Sequence, residues 1–415
     1  MNGNDDRDLP GGRPAEPRKL PADIPVVPAD PELLRTAWPE YGSASLADVL
    51  PGALAVLGVP GAVDVLGLRA ALPGVRRVVV LLVDGLGWHQ LPAAGAHAPT
   101  LARLAAQPSA RRLTTGFPST TPTSVVSLGT GAAPGAHGVL GFRVAVPGTD
   151  RVLNHIDWYG DPDPLRWQPL PTQLERATAA GVTVTVVSRP EFAGTGLTLA
   201  AYRGGAYRGA SDADQLAAEL LAALTAADGP VLVSGYFADL DRQGHQCGVE
   251  SPPWQETAAR LDRLLGQVVT GLPADAALLV TADHGQLNVP AGPEYRFDLD
   301  ADPRLRAGVR LVAGEPRVRY LHTVPGAVTD VIAAWQAVLG PAAWVVERAE
   351  LIESGLFGPV PAGHRERIGD VVAVCRDRFV VVASQTDPIG STLVGYHGGI
   401  TEVELAIPLL LATAA

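Results

Sequence analysis

The chain has 415 residues, of which 47% are apolar and 18% charged, with a formal charge of −11 and a pI near 5.3. That apolar content suffices for a packed core without staples, and the negative charge argues against a surface that coats nucleic acid or anionic membrane, because a global negative field repels both. Two cysteines, Cys247 and Cys375, far apart and outside any CxxC spacing, signal neither a disulfide framework nor a zinc knuckle and fit a reducing compartment.

Residues 1–30 are rich in Pro, Asp and Arg and hold no apolar stretch like a signal-peptide core, so a disordered leader on a cytoplasmic protein is expected. No later run is long enough to span a bilayer. Residues 31–57 read as helical pieces, and 76–83 (RRVVVLLV) as a buried strand, since β-branched residues dominate without polar alternation. Asp84-Gly85-Leu86-Gly87 breaks that strand. A short amphipathic helix is predicted over 98–106, and the segment 113–117 leads into Pro118-Ser119-Thr120-Thr121-Pro122 and a helix over 122–130 with proline in its first turn. Helix–strand pairs then follow at 171–180 and 182–187, at 213–227 and 230–237, and at 255–269 and 276–282. Helices alternating with buried strands predict an α/β fold, a doubly wound and mostly parallel sheet. From 289 the texture changes to short strands (318–322, 344–347, 370–374, 379–382) around a helix at 328–339, which predicts a smaller α+β cap insertion over 289–391. The core, 31–288, resumes over 392–415 with His397-Gly398-Gly399, a capping box at Thr401 and Glu404, and a last strand at 407–411.

Chemistry-bearing residues gather at the predicted strand ends. Asp84 follows a buried strand and precedes two glycines, so its carboxylate can project from the carboxyl edge of the sheet; alone, such an Asp is as easily a helix cap. Thr121, before Pro122, sits at a helix start, where a hydroxyl is an ordinary cap but also faces any anion bound by the free N–H groups. Ser119, Thr120 and Thr123 are near enough to compete with it. Asp241 and His245 form Asp-x-x-x-His just past a strand, a spacing that brings both to one ion on a single turn or loop, with Asp239 as a rival carboxylate. Asp283-His284 follows the strand AALLVTA, and His397 supplies a third imidazole. Three carboxylates, three imidazoles and a hydroxyl are the inventory for two divalent cations and one activated nucleophile.

The ordered set Asp84, FPSTTPTSVVSLGTG with APGAHG, DRQGH, ADHG and a late HGG resembles the alkaline phosphatase superfamily, in its nucleotide pyrophosphatase/phosphodiesterase branch. The resemblance covers roughly residues 76–290 and 392–412. It implies an alkaline-phosphatase-like fold and a nucleophilic threonine, which maps to Thr121 counting back from Gly131. It further implies one metal on Asp241, His245 and His397 and a second on Asp84, Thr121, Asp283 and His284, the ions being Zn2+ or Mn2+. One departure stands out. The branch's asparagine donor to a non-bridging phosphate oxygen falls on Phe142, which cannot donate, a loss of about 3 kcal/mol of transition-state stabilisation unless another group, Arg143 being adjacent, compensates.

The implied reaction is in-line attack of Thr121 on a diester phosphorus, a phosphothreonine, and release by water. Actinobacterial cytosolic members of the branch include a cyclic-di-AMP phosphodiesterase, so hydrolysis of cyclic-di-AMP to linear pApA and AMP is the leading expectation; NAD, ATP, other diesters or a monoester are alternatives. Phe142, Trp158, Tyr159 and Trp167 follow the nucleophile segment and are expected as adenine-stacking groups, beside ordinary core packing. A sulfatase would need a C/S-x-P-x-R motif around a cysteine or serine, and neither cysteine lies in one. The expected partner is a nucleotide or cyclic dinucleotide, with no nucleic-acid polymer and no membrane; the sequence carries no signal for oligomeric state.

Overall fold

The computed structural model describes residue 20 and residues 24–414. Six strands, β1 (Arg77–Val83), β2 (Arg111–Thr114), β3 (Thr183–Ser188), β4 (Ala206–Gly209), β5 (Val231–Phe237) and β6 (Ala276–Thr281), join the last strand β7 (Ala406–Thr413) in one seven-stranded sheet. Their order is β2-β7-β6-β1-β5-β3-β4. Only β7 runs against its neighbours, pairing antiparallel with β2 and β6, whereas β1 pairs in parallel with both β5 and β6. The expected α/β sheet, doubly wound and mostly parallel, is therefore present. Nearly every residue of β1 and every residue of β6 is buried, as a central strand covered on both faces requires. The helices Ala213–Leu224 and Pro252–Gly271 pack against each other, and each turns an apolar stripe inward, Leu216, Leu220 and Leu224 on the first and Leu261, Leu265 and Val268 on the second.

This order matters for chemistry. The three adjacent strands β6, β1 and β5 end side by side, with Val83 opposite Phe237 and Leu82 opposite Thr281. Whatever follows each strand therefore meets at one carboxyl edge.

The stretch between β6 and the late HGG turn builds a four-stranded antiparallel sheet in the order Val309–Glu315, Val318–Thr323, Val371–Cys375, Ala343–Glu347. The helix Val328–Leu339 covers one face and buries Trp335, whose Nε1 donates to the Leu305 carbonyl at 3.0 Å. On the other face Val318, Tyr320, Val372 and Val374 join the main core, and the Tyr320 hydroxyl donates to the Leu140 carbonyl at 2.6 Å. The insertion thus shares its interior with the core. Several strands escaped sequence reasoning, two of them in the larger sheets. Ala206–Gly209 is a half-exposed edge strand ending in glycine, and Val309–Glu315 carries arginine and glycine among its apolar residues, so neither shows a clean period.

One ion pair ties the insertion back. Arg317, in the turn between the first two insertion strands, donates from Nε and Nη2 to the two oxygens of Glu404 at 2.9 and 2.8 Å, and both side chains are fully buried. Glu404 also accepts from the Gly399 N–H at 2.8 Å and from the Thr401 hydroxyl at 2.6 Å. The predicted capping box is therefore present and doubles as the anchor of the HGG turn.

Of the expected leader, residues 1–19 and 21–23 lie outside the described residues. Residues 24–30 do not hang free: Val27 is buried, its carbonyl accepts from the Asn288 N–H and from Arg378, and the Pro25 carbonyl accepts from Asn288.

Two stability predictions rest on these buried charges. Arg317→Met leaves the Glu404 carboxylate buried without its partner and is expected to cost about 3–5 kcal/mol, read as a lowered urea midpoint; an unchanged midpoint would contradict the role given to the pair. Glu402 is held down to about 2 by His89 and by a bidentate contact from Arg112 at 2.8 and 2.9 Å. A folded value below the ordinary one means its contribution is complete above the ordinary carboxyl range and disappears as pH falls toward 2. Glu402→Gln should therefore unfold more easily than the native protein at neutral pH, and the gap should close between pH 4.5 and 2.

Candidate active site

Each group at the carboxyl edge is placed by the strand or helix before it. The Asp84 N–H still donates to the Phe237 carbonyl at 2.9 Å, so the ladder runs one residue past β1 before the chain turns at Gly85. Gly85 has φ +73°, and a Cβ there would stand 2.9 Å from the Asp241 Cα. Both the conformation and the close approach demand glycine. Asp283 follows β6 and accepts at Oδ1 from the N–H groups of Gly85 and His284, each at 3.1 Å, while its buried Oδ2 has no hydrogen-bond partner among the described residues. After β5 comes a helix, α1 (Asp239–Cys247), where a loop was also allowed; it sets Asp241 and His245 one turn apart, with Oδ2 and Nε2 at 3.3 Å. His397 crosses from the far side of the insertion and is held by the bridge between Ser119 and Gly398.

All three imidazoles are oriented the same way. Nδ1 of His245 faces the Gly395 carbonyl at 2.8 Å, that of His397 the Ser119 carbonyl at 2.8 Å, and that of His284 the Gly285 carbonyl at 3.2 Å. A carbonyl oxygen can only accept, so Nδ1 is the donor in each, which leaves Nε2 as the atom that can offer a lone pair to a cation. The Nε2 atoms of His245 and His397 lie 3.0 Å apart, and His284 stacks on His397 at 3.5 Å between ring centres. Burial and the neighbouring His284 and His245 hold His397 well below the ordinary imidazole value, so it is neutral. Burial, then Asp283 and Asp241, push Asp84 well above the ordinary carboxylate value.

This is a crowd of metal-ligating atoms: three carboxylates and three Nε2 atoms turned to the site, with one orphaned carboxylate oxygen. Such a set is stable only around positive charge, and mixed oxygen and imidazole donors fit divalent zinc or manganese. Two groups place their ligand atoms within 4.8 Å of one another: Asp84, Asp283 and His284, and Asp241, His284 and His397. His284 is thus within reach of both, where the sequence divided the ligands cleanly; His245 adjoins the second group through Asp241 and His397.

Thr121 opens a second helix, α2 (Thr121–Thr130), as its first residue; Thr120, not Thr121, is the extended residue before it. The Thr121 Oγ1 lies 3.2 Å from His284 Nε2 and 3.5 Å from Asp84 Oδ1 and borders a cavity of about 730 Å³. The rival hydroxyls face elsewhere. Ser119 donates to the Gly399 carbonyl at 2.8 Å, and Thr120 and Thr123 are fully buried.

The cavity runs from Asp84, Asp241, His245 and His397 to two walls. One carries Phe192, Tyr202, Tyr207 and Tyr236 from the sheet side; the other carries Phe142, Arg143 and Tyr396 with Glu315 and Asp387 from the insertion. Phe142 and Tyr159 stand where a substrate could touch them, Tyr159 being 80% exposed. Two expectations need correction. Trp158 is fully buried, donates to the Pro162 carbonyl at 2.7 Å and lies edge-on to Trp167 at 6.3 Å, so it packs the core and cannot stack on a base; Trp167 is buried beneath the Arg367 guanidinium, 3.7 Å from its ring centre. Arg143 borders the cavity and is paired through Nη1 with Asp387 at 3.1 Å.

Sequence reasoning missed three supporting groups. Gln286 donates to Asp241 Oδ1 at 2.7 Å, the Tyr236 hydroxyl donates to Asp84 Oδ2, and Glu315 brings a carboxyl that burial raises to about 8 against Gly398 and Thr120. A polar residue inside an otherwise apolar run, as Tyr236 is in VLVSGYF and Gln286 after ADHG, was the available signal.

The family model for type I phosphodiesterase / nucleotide pyrophosphatase matches residues 78–400. A comparison with curated proteins finds no match. Among solved structures, murine ectonucleotide pyrophosphatase/phosphodiesterase 5 aligns at 20% identity with a TM-score of 0.65, covering 81% of this chain and 88% of that one. An inactive threonine-to-alanine variant of the same murine protein, in complex with AMP, aligns at 20% identity and a TM-score of 0.66, over 82% and 88%. Phosphonoacetate hydrolase from Sinorhizobium meliloti, in complex with phosphonoacetate, aligns at 18% identity and a TM-score of 0.62, over 83% and 91%.

The acceptor crowd predicts a strong response to chelation. Protein stripped with EDTA should melt several degrees lower, and adding Zn2+ or Mn2+ should restore the transition in a concentration-dependent way. A melting temperature indifferent to both treatments would leave the site without a cation.

Proposed function

This chain belongs to the type I phosphodiesterase / nucleotide pyrophosphatase family, and we propose that it hydrolyses a nucleotide phosphodiester in two displacements with Thr121 as the nucleophile. The observation that carries this reading is the position of the Thr121 hydroxyl, on the cavity wall at a helix start and beside His284 and Asp84. Two divalent cations, Zn2+ or Mn2+, held by Asp84, Asp283 and His284 with Thr121 and by Asp241, His245 and His397, would neutralise the phosphoryl oxygens and lower the pKa of the attacking hydroxyl and water.

Around them the chain's own groups do the rest. The first N–H groups of α2 have no partner within the helix and point a partial positive charge at the phosphoryl group. Oγ1 of Thr121 bonds to phosphorus as the ester oxygen opposite it departs, leaving a phosphothreonine ester. Water then displaces Thr121 from the other side and its hydroxyl regains a proton. Two inversions give net retention at phosphorus. The buried walls of β1, β5 and β6 keep bulk water from the back of the site.

For the substrate we favour cyclic-di-AMP, one hydrolysis giving linear pApA and a second giving two AMP. A cavity of about 730 Å³ with aromatic side chains on both walls can take the groups on both sides of a diester, and an open aromatic face stacks any base. Free thiols at Cys247 and Cys375 suit a cytosolic setting for such a substrate. No helix among the described residues is long and apolar enough to cross a membrane. The AMP bound by the murine relative supports a nucleotide, and NAD or ATP is the alternative that fits the same walls. We further propose that 289–391 serves as a cap, since Gly314, Glu315, Pro316, Asp387 and Ile389 supply one side of the cavity.

Thr121→Ala and Asp283→Asn are each expected to lower turnover of cyclic-di-AMP at least about 10³-fold, with products resolved by chromatography. Thr121→Ser should keep part of the activity. Full turnover by the alanine variant would refute the nucleophile, and a native protein active only on ATP or NAD would replace the substrate.

A further inference from the structure

Asp84 has two carboxylate oxygens with different surroundings. Oδ1 faces the site, 3.5 Å from both Thr121 Oγ1 and His284 Nε2. Oδ2 points back into the protein and accepts from the Tyr236 hydroxyl. Tyr236 is carried by β5, one residue before the strand's end and in register with Leu82, so its hydroxyl reaches the next strand's Asp84 without leaving the sheet. The ring is set by edge contact with Phe192, 6.1 Å between centres, and it also borders the cavity.

We propose that Tyr236 is a positioning residue for the metal centre: its hydroxyl occupies Oδ2 of Asp84 and leaves Oδ1 as the single ligand oxygen facing Thr121 and His284. The inference rests on the phosphodiesterase reading only in requiring a cation at Asp84. The physical reasons are local. A carboxylate free to rotate can offer either oxygen, or both, to a cation; a donor fixed on one oxygen leaves one geometry, and a hydrogen-bonded ligand of this kind holds metal more tightly. Tyr236 can serve because its hydroxyl donates directly to Oδ2 and its ring is held in place against Phe192. The side chain of Asp283 gets its equivalent fixing from backbone, at Gly85 and His284, and that of Asp241 from Gln286. Tyr236 completes a set in which each of the three carboxylates has one oxygen held by a neutral donor.

The test is Tyr236→Phe in the full chain, which removes one oxygen and keeps the ring against Phe192. Bound zinc per chain is measured after gel filtration of protein loaded with a twofold excess of Zn2+, and zinc affinity by titration of the stripped protein. The native protein should retain two ions, and the variant should retain about one and bind the other about tenfold more weakly or worse. With bis(p-nitrophenyl) phosphate as substrate, the variant's lost kcat should return as Zn2+ is raised, with KM little changed and the melting temperature of the stripped protein unaltered. Equal zinc content and affinity in both proteins would overturn the inference, as would a raised KM at native zinc affinity, which would make Tyr236 a substrate contact. A native protein that binds no zinc, manganese or other divalent ion would instead overturn the two-metal reading itself, and Tyr236 with it.

Discussion

Everything at the carboxyl edge of this sheet depends on acceptors being held together against their own repulsion. Asp84, Asp241 and Asp283 stand within reach of one another, and His245, His284 and His397 turn their Nε2 atoms toward them. The fold accepts this by fixing each of these groups from its other side. Backbone carbonyls take the Nδ1 protons, N–H groups and side-chain donors fix one oxygen of each carboxylate, and the sheet supplies a rigid base on three adjacent strands. A flexible loop could not hold such a group, because relaxation would let the like charges part. Rigidity here is what prepares the site for cations.

Much of this was legible in the chain. Strands β1, β5 and β6 are apolar without alternation, which marks central strands directly, and the candidate ligands follow their ends. Asp84, Asp241, His245, Asp283, His284 and His397 do converge, and Thr121 joins them, because strand ends in a parallel sheet share one edge.

What escaped notice was contact across the chain. That Trp158 is packed edge-on to Trp167, that Arg143 pairs with Asp387, or that His284 reaches both clusters depends on distances between elements that no local pattern encodes. Aromatic content near a nucleophile reads equally as stacking surface or as core until burial is known. The strand Val309–Glu315 was missed for a similar reason: its pairing with Val318–Thr323 compensates for a mixed sequence through tertiary hydrogen bonds.

The insertion is more than a cover. His397 lies beyond it in sequence, and the turn that carries His397 is fastened by Glu404, whose own charge is balanced by Arg317 from the insertion's first hairpin. The same hairpin places Glu315 against Gly398 on the cavity wall. A carboxylate buried at Glu404 without Arg317 would favour an opened HGG turn, and the third imidazole would leave with it. Completion of the metal centre is therefore conditional on the insertion being folded and docked. A cap joined in this way cannot swing freely as a lid, since the Tyr320 bond to Leu140 and the shared apolar interior hold it as well. Tyr159 and Ile389, both exposed, border the cavity, and the docking of residues 289–391 gives it walls held in place by core contacts on both sides.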